Sequence, residues 1–222
     1  MHIGSKLYSL NLLKSKSDSI VFLENIYFDN KLFREENLYE TLGVAVKKKS
    51  LLFFLGGRLK TDKENTKALL VFKPFKNRII GAIKGDQGEY ICRDMNLPIF
   101  ENLSLFEINE TYSGIIGREK KIETYEEEST KIADILTSFP ALDFLILGGC
   151  HRPSKYLHPD TYVDRKDNQV KERSIATVAS SGFLVESSMG NIVKRHAPAI
   201  GVPIVYFRKG GIDADIDTLC WN

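Results

Sequence analysis

Short apolar runs alternate with polar punctuation through the first half of the chain, and their lengths set the first expectations. Runs at 20–23, 44–46, 51–55, 69–72, 79–83 and 103–108 are rich in Val, Ile, Leu and Phe and are bounded by charged or turn-forming residues. Runs of this length and composition predict strands, mostly joined by hairpins. Pro74 and Gly85-Asp86-Gln87-Gly88 carry turn chemistry. Gly56-Gly57 closes the run at 51–55, and no helical pattern follows it to aim amides at a phosphate, so the pair reads as a strand end.

The period changes at Tyr125. Ile132, Ile135, Leu136 and Phe139 recur at helical spacing behind Glu126-Glu127-Glu128, an acidic first turn suited to the positive end of a helix dipole, and this predicts a helix over 125–138. Pro140 lies just beyond, and 142–147 reads as a strand buried on both faces and closed by Gly148-Gly149. The segment 150–173 has no regular periodicity and reads as a functional loop. A strand at 175–179, a helix near 188–197 and a strand at 202–207 follow, in the alternation a parallel sheet requires. Met189, Ile192, Val193 and His196 form a stripe at i, i+3, i+4 and i+7, as on the core-facing side of that helix. The expected fold is α/β: a mixed sheet flanked by helices with a β-rich N-terminal half, in one domain over 1–222, the half 1–120 set against a site-bearing half 121–222.

Composition narrows the function classes. With 222 residues, 43% of them hydrophobic and 27% charged, the chain can bury one substantial core and is too balanced to be disordered. Its 31 basic and 29 acidic side chains leave a formal charge of +2, too little for the long-range field that holds nucleic acid or an anionic membrane, so neither is expected as a partner. Cys92, Cys150 and Cys220 are odd in number and form no C-x-x-C pair, which argues against a disulfide framework or a zinc ribbon. No leader-like segment opens the sequence, and no apolar run approaches the ~20 residues that span a bilayer, so a cytoplasmic location is expected.

In open α/β sheets ligands gather at the carboxyl ends of strands. Three such ends combine small residues with polar groups: Gly148-Gly149-Cys150-His151-Arg152, Ser180-Ser181-Gly182-Phe183 leading to Glu186, and Arg208-Lys209-Gly210-Gly211-Ile212-Asp213. The order of these pieces resembles the C-terminal half of the purine nucleoside phosphorylase and nucleosidase superfamily, and most closely its methylthioadenosine/S-adenosylhomocysteine nucleosidase branch. Asp143-Phe144-Leu145-Ile146-Leu147-Gly148-Gly149 and Gly201-Val202-Pro203-Ile204-Val205-Tyr206-Phe207-Arg208 carry the likeness, over about the last 100 residues.

The resemblance implies a phosphorylase/hydrolase-like arrangement, N-glycosidic cleavage of a purine nucleoside or nucleotide without a cofactor, and a homo-oligomer. Asp213 would protonate the departing base and Glu186 would hold the sugar, with Gly148, Gly149, Ser181, Phe183, Met189 and Arg208 as substrate contacts. The family's Met-Glu sugar clamp has no clean copy, because Glu186 precedes Ser187-Ser188 and Met189 precedes Gly190. A degenerate binding or protein-interaction domain is therefore the alternative. The residues themselves also admit an exposed, alternating strand for Asp213, a helix-flanking charge for Glu186 and an ion-pair partner for Arg208.

A metal-dependent hydrolase is a third reading, built on His151, His158 and Asp160 near Cys150, although their spacing fits no established ligand motif. Arg152, Arg165, Lys166, Lys171 and Arg173 could clamp an anion such as a nucleotide phosphate, but Asp160, Asp164, Asp167 and Glu172 interleave with them, so mutual neutralisation on a solvated surface is the favoured reading and the clamp stays open beside it.

Overall fold

The computed structural model describes residues 6–26, 28, 33–56, 62–85, 87–118, 125–139, 141–150, 153–164, 168–180, 182 and 200–221. The N-terminal part runs β1 (Leu7–Leu10), β2 (Ser19–Glu24), α1 (Glu35–Lys47), β3 (Leu51–Gly56), α2 (Asp62–Phe72), β4 (Ile79–Ile83), α3 (Gln87–Asp94) and β5 (Ile99–Phe100). There follow β6 (Leu103–Ile108), β7 (Tyr112–Arg118), α4 (Tyr125–Ser138), β8 (Phe144–Gly148), β9 (Ser154–Asp164), β10 (Gln169–Ala179), β11 (Ile200–Gly201), β12 (Ile204–Arg208), β13 (Gly211–Asp215) and β14 (Cys220–Trp221).

Twelve of these strands build two mixed six-stranded sheets, one ordered β1-β6-β7-β8-β10-β9 and the other β13-β12-β2-β3-β4-β5, while β11 and β14 pair separately. Side-chain alternation explains how the layers stack. In β2, Val21 and Leu23 pack outwards with Leu38, Leu42 and Ala45 of α1, Phe72 of α2 and Ile91 of α3. Ile20 and Phe22 point the other way and meet Phe144, Ile146, Ala176 and Val178 of the opposite sheet. The second sheet's outer face, with Ile115, Leu145 and Leu147, is covered by Ile132 and Ile135 of α4. The order of layers is helices, sheet, sheet, helix. This bears out the expected α/β class, and among the described residues no helix is long and apolar enough to cross a membrane.

Several local expectations hold and others change. The runs at 20–23, 51–55, 79–83 and 103–108 are strands, and the helix occupies Tyr125–Ser138. The runs at 44–46 and 69–72 are not strands but the ends of α1 and α2, where only one side of each run is buried: Ala45 and Phe72 are enclosed while Val46 is 45% and Leu70 is 70% exposed. With helices between them, β2, β3, β4 and β5 pair in parallel, and the expected hairpins reduce in this half to the antiparallel β6–β7 pair.

The described residues of the segment 150–173 are not an irregular loop. Eleven cross-strand pairs, from Gln169↔Asp164 to Ala179↔Ser154, place 154–164 and 169–173 in the β9–β10 ribbon, whose polar outer half lacks the apolar alternation that marks a strand. β10 and β12 also fail to form the expected parallel unit. β10 pairs with β8, whereas β12 lies antiparallel to β2 in the other sheet. The helix expected near 188–197, with its Met189 stripe, lies outside the described residues.

Candidate functional site

Four strands carry their inward-facing alternation two residues past the last apolar side chain, and at that step each changes chemistry. Phe22 of β2 gives way to Glu24, Ile116 of β7 to Arg118, Ile146 of β8 to Gly148, and Val178 of β10 to Ser180. Because β7, β8 and β10 run in parallel, their carboxyl ends lie level with one another. Glu24 reaches them from the facing sheet. Its Oε2 accepts a hydrogen bond from the Gly149 amide at 2.8 Å.

Glycines allow this approach. A Cβ on Gly148 would lie 2.4 Å from Glu24 Oε2 and 2.8 Å from Leu55 Cβ, inside any real contact distance. Gly182, at φ +74°, brings its Cα so near that a Cβ would meet the Glu24 carbonyl oxygen at 2.3 Å. Gly149, at φ +83°, turns the chain through the left-handed region and so presents its amide to the carboxylate. Asn25, also left-handed at φ 53°, accepts a hydrogen bond from Arg118 Nη2 at 3.3 Å.

The electrostatics follow from this enclosure. Burial pushes the Glu24 carboxyl from its ordinary 4.5 up to about 7, against the opposing pull of the Arg118 charge, the Gly149 amide and the Ser180 hydroxyl. Among the described residues its Oε1 has no hydrogen-bond partner, and neither does Ser180 Oγ, which favours the ionised carboxylate from nearby but does not reach bonding geometry. Burial, followed by the Glu128 and Glu24 charges, raises the Cys150 thiol well above the ordinary range. That thiol stays protonated at neutral pH and is no nucleophile. Glu128 is itself enclosed, accepting a hydrogen bond from Ser154 Oγ at 3.1 Å.

Of the residues singled out from sequence, Gly148 and Gly149 belong to this cluster, and Ser181, Phe183, Glu186, Met189 and His151 lie outside the described residues. Asp213 and Arg208 sit elsewhere. Tyr206 pairs with both Ser19 and Asp213, so Asp213 is level with the start of β2, five residues (about 17 Å at ~3.3 Å per residue) from Glu24. Asp213 is 63% exposed and bonded to Lys155, whose ammonium holds its carboxyl below the ordinary range. Arg208 donates to Asp18 at 2.9 Å and lies over the Tyr206 ring. His158 and Asp160 lie on β9, where Arg173 engages Asp160 at 2.7 Å.

The geometry therefore defines a two-sheet sandwich with helices on both outer faces and a buried polar cluster at its strand ends. The fold, without reference to the cluster, is similar to that of Vps29 of Chaetomium thermophilum, whose crystal structure matches with a TM-score of 0.52 at 7% identity over 90% of this chain and 95% of that one. A zinc-bound Vps29 of Entamoeba histolytica matches at 0.46, with 10% identity over 89% and 97% of the two chains. A conserved uncharacterised protein of Streptococcus pneumoniae, a predicted phosphoesterase, matches at 0.43, with 12% identity over 90% and 97%. No protein-family model matches the sequence, and no curated protein does.

The likeness to the Chaetomium protein overturns the nucleosidase resemblance and, with it, the purine-cleaving activity. The apparent match arose because a buried strand ending in glycines, and a later strand followed by acids, also occur here, but in two different sheets. The roles given to Asp213 as base protonator and Glu186 as sugar ligand lapse with that activity. Of the three residues suggested for a metal, His151 lies outside the described residues. Among the described residues no three His, Cys, Asp or Glu side chains group to hold an ion, and the Arg118 charge acts on Glu24. Sequence reasoning missed Glu24 and Arg118, although it marked the strand end that begins at Ser180. The signal was present as an apolar-x-apolar-x-polar step at the end of three strands.

Proposed function

We propose that this chain is a binding module on a Vps29-type scaffold, with the strand-end cluster acting as an internal clasp between the sheets instead of a hydrolytic centre. One observation carries the reading: Glu24, the carboxylate at the strand ends, gives one oxygen to the Gly149 amide and lies beside Arg118 with its acidity weakened to near neutral. A carboxylate so engaged is a poor ligand for a divalent ion, since coordination requires full ionisation and a free approach. The test is hydrolysis of bis(p-nitrophenyl) phosphate by the full chain with Mn2+ or Zn2+. The expected outcome is a rate equal to that of the metal alone and unchanged by Glu24→Gln.

A metal-dependent hydrolase is the second reading, favoured by Glu24 Oε1 and Ser180 Oγ, buried close to Cys150 and without a hydrogen-bond partner among the described residues. A metal-dependent rate lost in Glu24→Gln would establish it in place of the first.

A further inference from the structure

At the opposite end of the β2–β3–β4 sheet the chain presents a cleft of about 450 Å3 lined by Ser15, Lys16, Lys49, Leu51, Asn77 and Arg78. The register explains the convergence. Ile20 pairs with Leu51 and Leu52 with Ile79, so the segments entering β2, β3 and β4 lie side by side. They are tied together by Ser19 Oγ and Ser50 Oγ at 2.8 Å and by Arg78 Nη1 donating to the Ser50 carbonyl at 3.4 Å.

Each segment delivers one cation to the cleft, and the stretches 11–17, 47–50 and 73–78 contain no acidic residue at all. Among the described residues no carboxylate pairs with Lys16, Lys49 or Arg78, whereas Lys48 next door is engaged by Asp215 at 3.1 Å. Lys16 and Lys49 both occupy the left-handed region, at φ 53° and 58°, where glycine or asparagine would be the unstrained choice. Three unneutralised cations around one concavity, with an amide and a hydroxyl beside them, match the charge density of linked phosphates.

We propose that this cleft binds a small anion bearing two or three linked phosphate groups, such as a polyphosphate or the phosphate chain of a nucleotide. Its volume suits a ligand of that size. The chain's net charge of only +2 favours a compact anion over an extended nucleic-acid backbone. The site is independent of the strand-end cluster and of the function proposed for it.

The test is calorimetric titration of sodium triphosphate into the full chain at low and high salt. Saturable one-to-one binding that weakens with salt is expected, with a loss of about tenfold or more in each of Lys16→Gly and Lys49→Gly, since a hydrogen bond to a charged group is worth that much. Both variants relieve a left-handed backbone, so their thermal transitions should be no lower than the parent's and lost binding cannot be ascribed to unfolding. Because lysines after α1 also complement that helix's dipole, Lys16, on a different segment, is the decisive position. Absence of saturable heat, or affinity unchanged in both variants, overturns the proposal. Oligonucleotide binding that strengthens with length where triphosphate fails to bind also overturns it.

Discussion

Glu24 concentrates the tension between sequence and fold in a single side chain. Alternation along β2 demands that position face inwards, and the four-layer packing buries the carboxylate completely, which disfavours its charge. With its carboxyl at about 7 in the folded chain and 4.5 ordinarily, the native state holds a proton between those values that the unfolded state has released. Stability should therefore fall as pH rises from about 4.5 to about 7 and level off above, a change on the order of 3 kcal/mol from this residue. Glu24→Gln keeps an acceptor for the Gly149 amide and removes the titration, so the difference between parent and variant urea midpoints should change between pH 5 and pH 8. Parallel curves over that range would refute the weakened acidity of Glu24. Beside it, Gly148→Ala drives a methyl into Glu24 and Leu55 and should cost about 1–3 kcal/mol, measured by the same unfolding.

Elements divide sharply by how much apolar surface they enclose. The outer half of the β9–β10 ribbon carries the facing pair Val163 and Val170, 57% and 72% exposed, so replacing both by Thr should leave stability within about 0.5 kcal/mol. A larger loss would mean that the ribbon packs on something. The same contrast governs what could be read from the chain. α4 was legible because its apolar period and acidic first turn agree, and β4 because Ile79-Ile80-Gly81-Ala82-Ile83 is short and wholly apolar. The ends of α1 and α2 were not, because β-branched and bulky residues crowd there and the buried face becomes evident only against Val21 and Leu23. β9 and the first half of β10 were illegible because a polar ribbon held by backbone pairing and the Arg173–Asp160 ion pair carries no hydrophobic period. Part of the strand-end site was visible in Gly148-Gly149 and Ser180. Glu24 needs the opposite sheet, since Glu24 and Gly149 lie 125 residues apart.

Across the whole molecule, the layer between the sheets decides whether the fold holds. Phe53 sits in its middle, fully buried among Phe22, Phe100 and Phe106. Phe53→Ala should cost about 3–5 kcal/mol, with one cooperative transition reporting both sheets; loss of only one sheet's signal would contradict a shared core. At one end of this sandwich the parallel strands of the two sheets meet through Glu24, Gly149 and Arg118 in a clasp, and at the other the segments entering β2, β3 and β4 frame a cationic cleft. The account stands on the claim that the clasp is made of protein groups alone. The most direct measurement is equilibrium dialysis of the full chain against Zn2+ and Mn2+ at neutral pH, with elemental analysis of bound ions. The account predicts well under one ion per chain, equal in the parent and in Glu24→Gln; one or more ions per parent chain, lost in the variant, would contradict it.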